Sequence, residues 1–175
     1  MGDPVEEELA IMDERSSESP AISLDVFQER VSRLCEKPVR TLDVSATVRD
    51  AIALMREGRF GSVVVTEGGK LAGILTERDI LMRVAGEEPA MLDDPIATIM
   101  TADPESLRGE DDLLFLMNKM HVGGFRHVPI VNDAGVPEHV ISLRDVLSYL
   151  LDHFGSIIVN LPPEPFRGEP KVESG

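Results

Sequence analysis

The stretch Gly73-Ile74-Leu75-Thr76-Glu77-Arg78-Asp79-Ile80-Leu81 recurs 66 positions later as His139-Val140-Ile141-Ser142-Leu143-Arg144-Asp145-Val146-Leu147. Each copy reads as a short apolar strand, a hydroxyl residue, and a helix with Asp in its first turn. Two copies of one unit limit the chain to folds built from a duplicated strand-to-helix motif.

The local physics of that unit has two readings. Thr76 and Ser142 are good N-cap residues, because a side-chain oxygen can accept from an orphan backbone N–H of the first turn. Asp79 and Asp145 fall at the third helical position, where a carboxylate also suits the positive end of the helix dipole. Two capping boxes with Asp in place of Glu need no ligand. The same geometry also leaves N–H groups and a hydroxyl facing solvent, which suits an anion. A carboxylate beside them can accept from both hydroxyls of a ribose, as an acidic residue does in dinucleotide folds. Duplication within a longer repeat favours this second reading.

The surrounding sequence extends the unit. Residues 22–35 have a helical pattern with Ser23 as cap, and Pro38 ends it. Residues 39–44 are extended. Thr47 starts an amphipathic helix with Val48, Ala51, Ile52 and Met55 on one face, ending at Gly58. A β-branched strand at 62–66, a Glu67-Gly68-Gly69-Lys70 turn and a return strand at 71–75 form a hairpin. The Thr76 helix runs to about Ala85 and closes at Gly86. Residues 96–154 repeat this order: an extended piece at 99–102, a helix from Asp111 to Met120, a hairpin from His127 to Ile141, and a last helix ending near Gly155. The expected fold class is α+β, with two pseudo-symmetric β-α-β-β-α repeats. Neither half is large enough to be comfortable alone, so their small sheets should pack together with helices on the outer faces. Loops of both halves would then meet in a cleft. The expected divisions are an acidic disordered tail at 1–21, an N-terminal helix at 22–35, repeats at 36–92 and 93–155, and a proline-rich tail at 156–175.

Charge and cysteine content narrow the function. A net charge of -15 argues against DNA or RNA as a partner, because phosphate contacts need a basic footprint. With Asp3, Glu6, Glu7, Glu8, Asp13, Glu14 and Glu18 against Arg15 alone, the start of the chain is expected to be a solvated tail or to dock on a partner. It lacks the character of a signal peptide, and no apolar run reaches the length of a membrane span. A single cysteine, Cys35, excludes an internal disulfide and fits a reducing compartment, so a cytoplasmic location is expected. Sequence signatures of hydrolases, P-loop enzymes, zinc proteases and dithiol oxidoreductases are missing, so no catalytic residue is assigned. His121, His127, His139 and His153 show no metal-ligand spacing, and no metal site is assigned. A site assembled from distant histidines across a dimer remains an alternative.

These features together resemble a tandem pair of CBS domains, a Bateman module. The resemblance rests on the repeated helix–strand–strand–helix unit, on Gly73-x-x-Thr76-x-x-Asp79 with its second copy, and on Arg126-His127-Val128-Pro129-Ile130-Val131, which is similar to the family's second strand. It covers roughly residues 36–152. It implies two repeats with up to two clefts, pairing into a homodimer. It also implies a non-catalytic module that senses AMP, ADP, ATP, S-adenosylmethionine, NAD or a cyclic dinucleotide and regulates an unidentified protein in trans. No cofactor is required on this reading.

Residue by residue, the resemblance makes Asp79 and Asp145 partners of ribose hydroxyls, with Thr76 and Ser142 at ribose or phosphate. Thr41 and Thr101 would lie near the adenine edge. Ser62, Val63, Val128 and Pro129 would line the base. Arg126 and His127 would meet phosphate, with Arg59, Arg78 and Arg144 behind them. His139 stands where the family has Gly. A structural dimerisation module without nucleotide, or a metal-binding member of the family, are the competing readings.

Overall fold

A computed structural model of the chain describes residues 24–36, 38–86 and 89–155. The expected tails at 1–21 and 156–175 lie outside these residues.

The first repeat contains β1 (Thr41–Asp43), α1 (Val48–Gly58), β2 (Ser62–Glu67), β3 (Lys70–Thr76) and α2 (Glu77–Arg83). Then come β4 (Thr101–Ala102), α3 (Leu113–Gly123), β5 (His127–Val131), β6 (Pro137–Ser142) and α4 (Leu143–His153). Thr47 caps α1 through a full capping box with Asp50, as its hydroxyl and spacing allow. The β2–β3 turn uses Gly68 and Gly69 at φ of 58° and 79°, which favours the pair of glycines found there.

Both hairpins carry the same irregularity. Val65 pairs with Gly73 and Thr66 with Leu71, so Ala72 is bulged. Ile130 pairs with His139 and Val131 with Pro137, so Glu138 is bulged. A bulge frees a backbone group from the ladder. The Ala72 carbonyl accepts from the Asp103 N–H and the Glu138 carbonyl from the Val39 N–H, each at 3.0 Å. In each case the donor lies in the segment leading into the other repeat.

This exchange extends to the cores. Ile96 and Ile99, at the start of the second repeat, pack with Val48, Ala51, Val65 and Leu75 of the first. Val31 and Leu34, which precede the first repeat, pack with Leu113, Leu116, Val128, Ile130, Ile141 and Val146 of the second. Every one of these side chains is buried. Each repeat therefore completes its core with a segment that belongs, in sequence, to its neighbour.

Three sequence expectations change. The helix expected at 22–35 is two 3-10 turns, Leu24–Gln28 and Val31–Leu34. Backbone bonds from Val31 to Asp111, Ser32 to Gly109 and Leu113 to Glu29 take the groups that a continuous helix would pair internally. The helix expected from Asp111 starts at Leu113, because Asp111 spends its carboxylate on the Arg108 N–H in the preceding turn. The piece at 99–102 does not open a second sheet. As β4 it runs antiparallel to β3 and joins the sheet β1-β2-β3-β4, while β5 and β6 pair alone. The counterpart of the parallel Thr41–Val64 pairing is the parallel bridge between Leu107 and Ile130.

Candidate functional site

The two strand-to-helix turns fold alike. Asp79 Oδ2 accepts from the Thr76 N–H at 2.9 Å and from its hydroxyl at 2.6 Å. Asp145 Oδ2 accepts from the Ser142 N–H at 2.8 Å and from its hydroxyl at 2.6 Å. In both, the hydroxyl oxygen also accepts from the N–H of the aspartate. The capping geometry is complete without a ligand. It leaves the Oδ1 atoms outside the box.

Their surroundings differ. The Asp79 side chain is 15% exposed and lines a cavity of about 390 Å³. That volume falls within the ~300–1,000 Å³ usual for small-molecule sites. The first repeat contributes Gly61, Ile74, Thr76, Glu77, Arg78 and Asp79. The second contributes Thr101, the run Asp103-Pro104-Glu105, and Gly124 to His127. The cavity is thus a cleft between the repeats. Asp145 is exposed and borders a smaller cavity, about 140 Å³, beside Cys35, Glu36 and Tyr149.

Of the residues expected at a ligand, Thr76, Asp79, Thr101, Arg126 and His127 come together in the larger cleft. Ser142 is half-buried opposite His127 in the β5–β6 ladder. Thr41 is exposed on β1, away from both cavities, and is not the structural counterpart of Thr101. Val63, Val128 and Pro129 are buried; Val63 pairs with Leu75 and Val128 with Ile141. They support the cleft from the core and do not line it. Ser62 is half-buried opposite Thr76. Sequence reasoning passed over Gly61, Glu77, Asp103, Pro104, Glu105 and Phe125 as lining residues. Phe125, next to the basic pair Arg126-His127, and Glu77, inside the repeated motif, were the visible signals; Asp103, Pro104 and Glu105 depend on β4 crossing to β3.

Charge in the cleft is mixed. Arg78, Arg126 and His127 face Glu77, Asp79, Asp103 and Glu105, and Lys119 bonds the Glu105 carboxylate. His127 is held below its ordinary pKa by burial first and then by Arg126, against the opposing pull of Glu77 and Asp145. It lies electrostatically between the two helix starts. Gly61 makes room for it: a Cβ there would stand 3.2 Å from His127 Nε2 and 3.7 Å from Glu77 Oε2. Cys35 is different. Burial and the Glu138 charge push its thiol up to about 11, so it is a poor nucleophile at pH 7.

Comparison with known proteins finds the same family model in both repeats. The family model described as CBS domain matches residues 31–86 and again 96–152. An uncharacterized 17.7 kDa protein of Acidianus ambivalens is 30% identical over 70% of the chain and 74% of its own length. The Arabidopsis thaliana CBS domain-containing protein CBSCBSPB1 is 31% identical over 78% of the chain, which spans only 24% of that larger protein. The solved structure of a CBS domain protein from Pyrobaculum aerophilum complexed with AMP superposes with a TM-score of 0.63. It is 30% identical over 71% of this chain and 97% of its own.

Proposed function

The chain belongs to the CBS-domain family, and from that premise we propose that it senses an adenosine-containing ligand in the inter-repeat cleft and regulates a partner protein in trans. The observation that carries the reading is the cleft itself. It joins the Thr76–Asp79 helix start of one repeat to Thr101, Arg126 and His127 of the other. The AMP-bound Pyrobaculum relative supports the ligand class.

On this reading Asp79 Oδ1 accepts from ribose hydroxyls, and Thr76 holds the helix start that meets ribose or phosphate. Arg126, Arg78 and a protonated His127 meet phosphate. Thr101 borders the adenine, while Ser62, Val63, Val128 and Pro129 back the wall. Ser142 and Asp145 are assigned to a second, smaller site, and Thr41 has no role at the larger cleft. Four carboxylates against two guanidiniums and an imidazole favour the least charged members of the class. S-adenosylmethionine, NAD and AMP therefore rank ahead of ADP and ATP. The ligand touches both repeats, so it selects the arrangement in which both sides contact it, and the partner reads that arrangement.

The module acts as a homodimer and does no chemistry on its ligand. Leu81 and Met82 on α2, Phe115 on α3, and Leu143, Leu147 and Leu151 at helical spacing on α4 are exposed and supply the apolar area. Among the described residues no helix is long and apolar enough to cross a membrane. We place the protein in the cytoplasm and away from nucleic acid, on its single thiol and its net charge of -15. The reading as a structural module draws on both capping boxes being complete without ligand. Among the described residues no group of three or more metal-ligating side chains supports the metal-binding reading.

Thermal unfolding with a panel of AMP, ADP, ATP, S-adenosylmethionine, NAD and cyclic di-AMP separates these readings. A ligand at a hundred times its Kd stabilises by about 2.7 kcal/mol. That raises Tm by several degrees, roughly 2–4 °C per kcal/mol at this size. The sensor reading expects such a rise with S-adenosylmethionine, NAD or AMP. No shift with any of the panel favours the structural module.

A further inference from the structure

We infer that Arg83 is a positioning residue that ties the two walls of the cleft together. This rests on the reading of the cleft as a ligand site. One wall carries Asp79, in the first turn of α2, and Arg83 ends that helix. The opposite wall begins at Thr101, directly after Met100. Arg83 Nη1 donates to the Ile99 carbonyl at 2.9 Å and, at longer range, to the Met100 carbonyl at 3.4 Å. Its Nη2 lies 3.9 Å from Asp79 Oδ1.

The chemistry suits an arginine. Ile96–Thr98 is a 3-10 turn, and the carbonyls just past it have no partner within the turn. A planar guanidinium can take two neighbouring carbonyls and a carboxylate at once, which an ammonium cannot do with the same geometry. Oδ2 of Asp79 is already committed to the capping box, so Arg83 faces the oxygen that the ligand would use. Ile99 is buried in the first repeat's core, and Met100 fills the space left by the missing side chain of Gly73. Arg83 therefore closes a short circuit: Asp79, the end of α2, the 99–100 backbone and β4. The position 66 residues on is Tyr149, which packs against the second core and has no guanidinium to offer. The tie belongs to the larger cleft alone.

The test is amide exchange of the full-length protein, read at Asp103, whose N–H bonds the Ala72 carbonyl across the wall, and at Val64, whose N–H bonds Arg40 in the first repeat's interior. In Arg83→Met, without ligand, Asp103 should exchange roughly tenfold faster or more relative to Val64, the size expected for losing charge-assisted hydrogen bonds. Arg83→Lys should recover part of the difference. AMP affinity should fall in the same order across the variants. Equal acceleration at both amides, tracking Tm, or no change at Asp103, would overturn the tie and leave Arg83 a surface ion pair. Wild-type protein that binds no AMP would defeat the ligand reading instead, while the exchange ratio still decides the tie.

Discussion

Two aspartates at the same place in the repeat meet different surroundings. Asp79 and Asp145 make the same capping bonds, yet Asp79 sits inside the cleft and Asp145 on the surface. Side-chain chemistry fixed the caps, and the hydroxyl-x-x-Asp spacing made them legible from the sequence. What separates the two residues is the chain that passes in front of them, which no local pattern records. His127 shows the same limit: its identity was visible, its burial was not. Because its folded pKa lies below the unfolded value near 6.5, the folded state binds fewer protons there. Its contribution to stability is complete above about pH 6.5 and is lost as pH falls through the lower folded value. Chemical denaturation between pH 7.5 and 5 should show this decline, and His127→Gln should flatten the upper part of it. An unchanged profile in that variant would mean that other groups set the slope. Anionic ligand in the cleft should favour the protonated ring, so AMP binding should take up protons in this range.

At the scale of elements, strands, hairpins and capped helices were legible because alternation, paired glycines and N-cap residues act locally. The N-terminal 3-10 turns and the crossing of β4 were not, because distant backbone groups decide them. Gly73 marks the boundary between the two kinds of information. The sequence offered it as part of a motif; the structure gives the reason. A Cβ at that position would strike Met100 Sδ and stand 3.0 Å from the Thr101 carbonyl, so β4 approaches only a bare backbone. Gly73→Val should displace β4 and destabilise the fold by about 1–3 kcal/mol, the usual cost of overpacking. AMP affinity should fall with it, since Thr101 and Asp103 line the cleft. Urea unfolding and titration of the same variant check both effects. Wild-type stability would show that Met100 alone yields and β4 stays in place.

The whole molecule is an exchange of segments. Val31 and Leu34 complete the second core, and Ile96 and Ile99 complete the first, so neither repeat holds a full core by itself. A duplicated unit was readable from the 66-residue offset, but the sequence boundaries between repeats are not the boundaries between cores. The intertwining gives the cleft its character, because a wall of one repeat is built on the sheet of the other. It also leaves the Leu143, Leu147 and Leu151 face of α4 open to solvent. If that face joins two copies, Leu147→Glu with Leu151→Glu should convert a dimer to a monomer in sedimentation without loss of far-UV dichroism. A wild-type monomer at micromolar concentration would contradict the assembly.

The most direct measurement is calorimetric titration with AMP of the wild-type protein, Asp79→Asn and Asp145→Asn. The account predicts saturable binding to the wild type. It predicts a loss of roughly tenfold or more in Asp79→Asn, as for a charge-assisted hydrogen bond made neutral. It predicts retention of that binding in Asp145→Asn. Absence of heat with folded wild-type protein, or binding that survives Asp79→Asn unchanged, would contradict it.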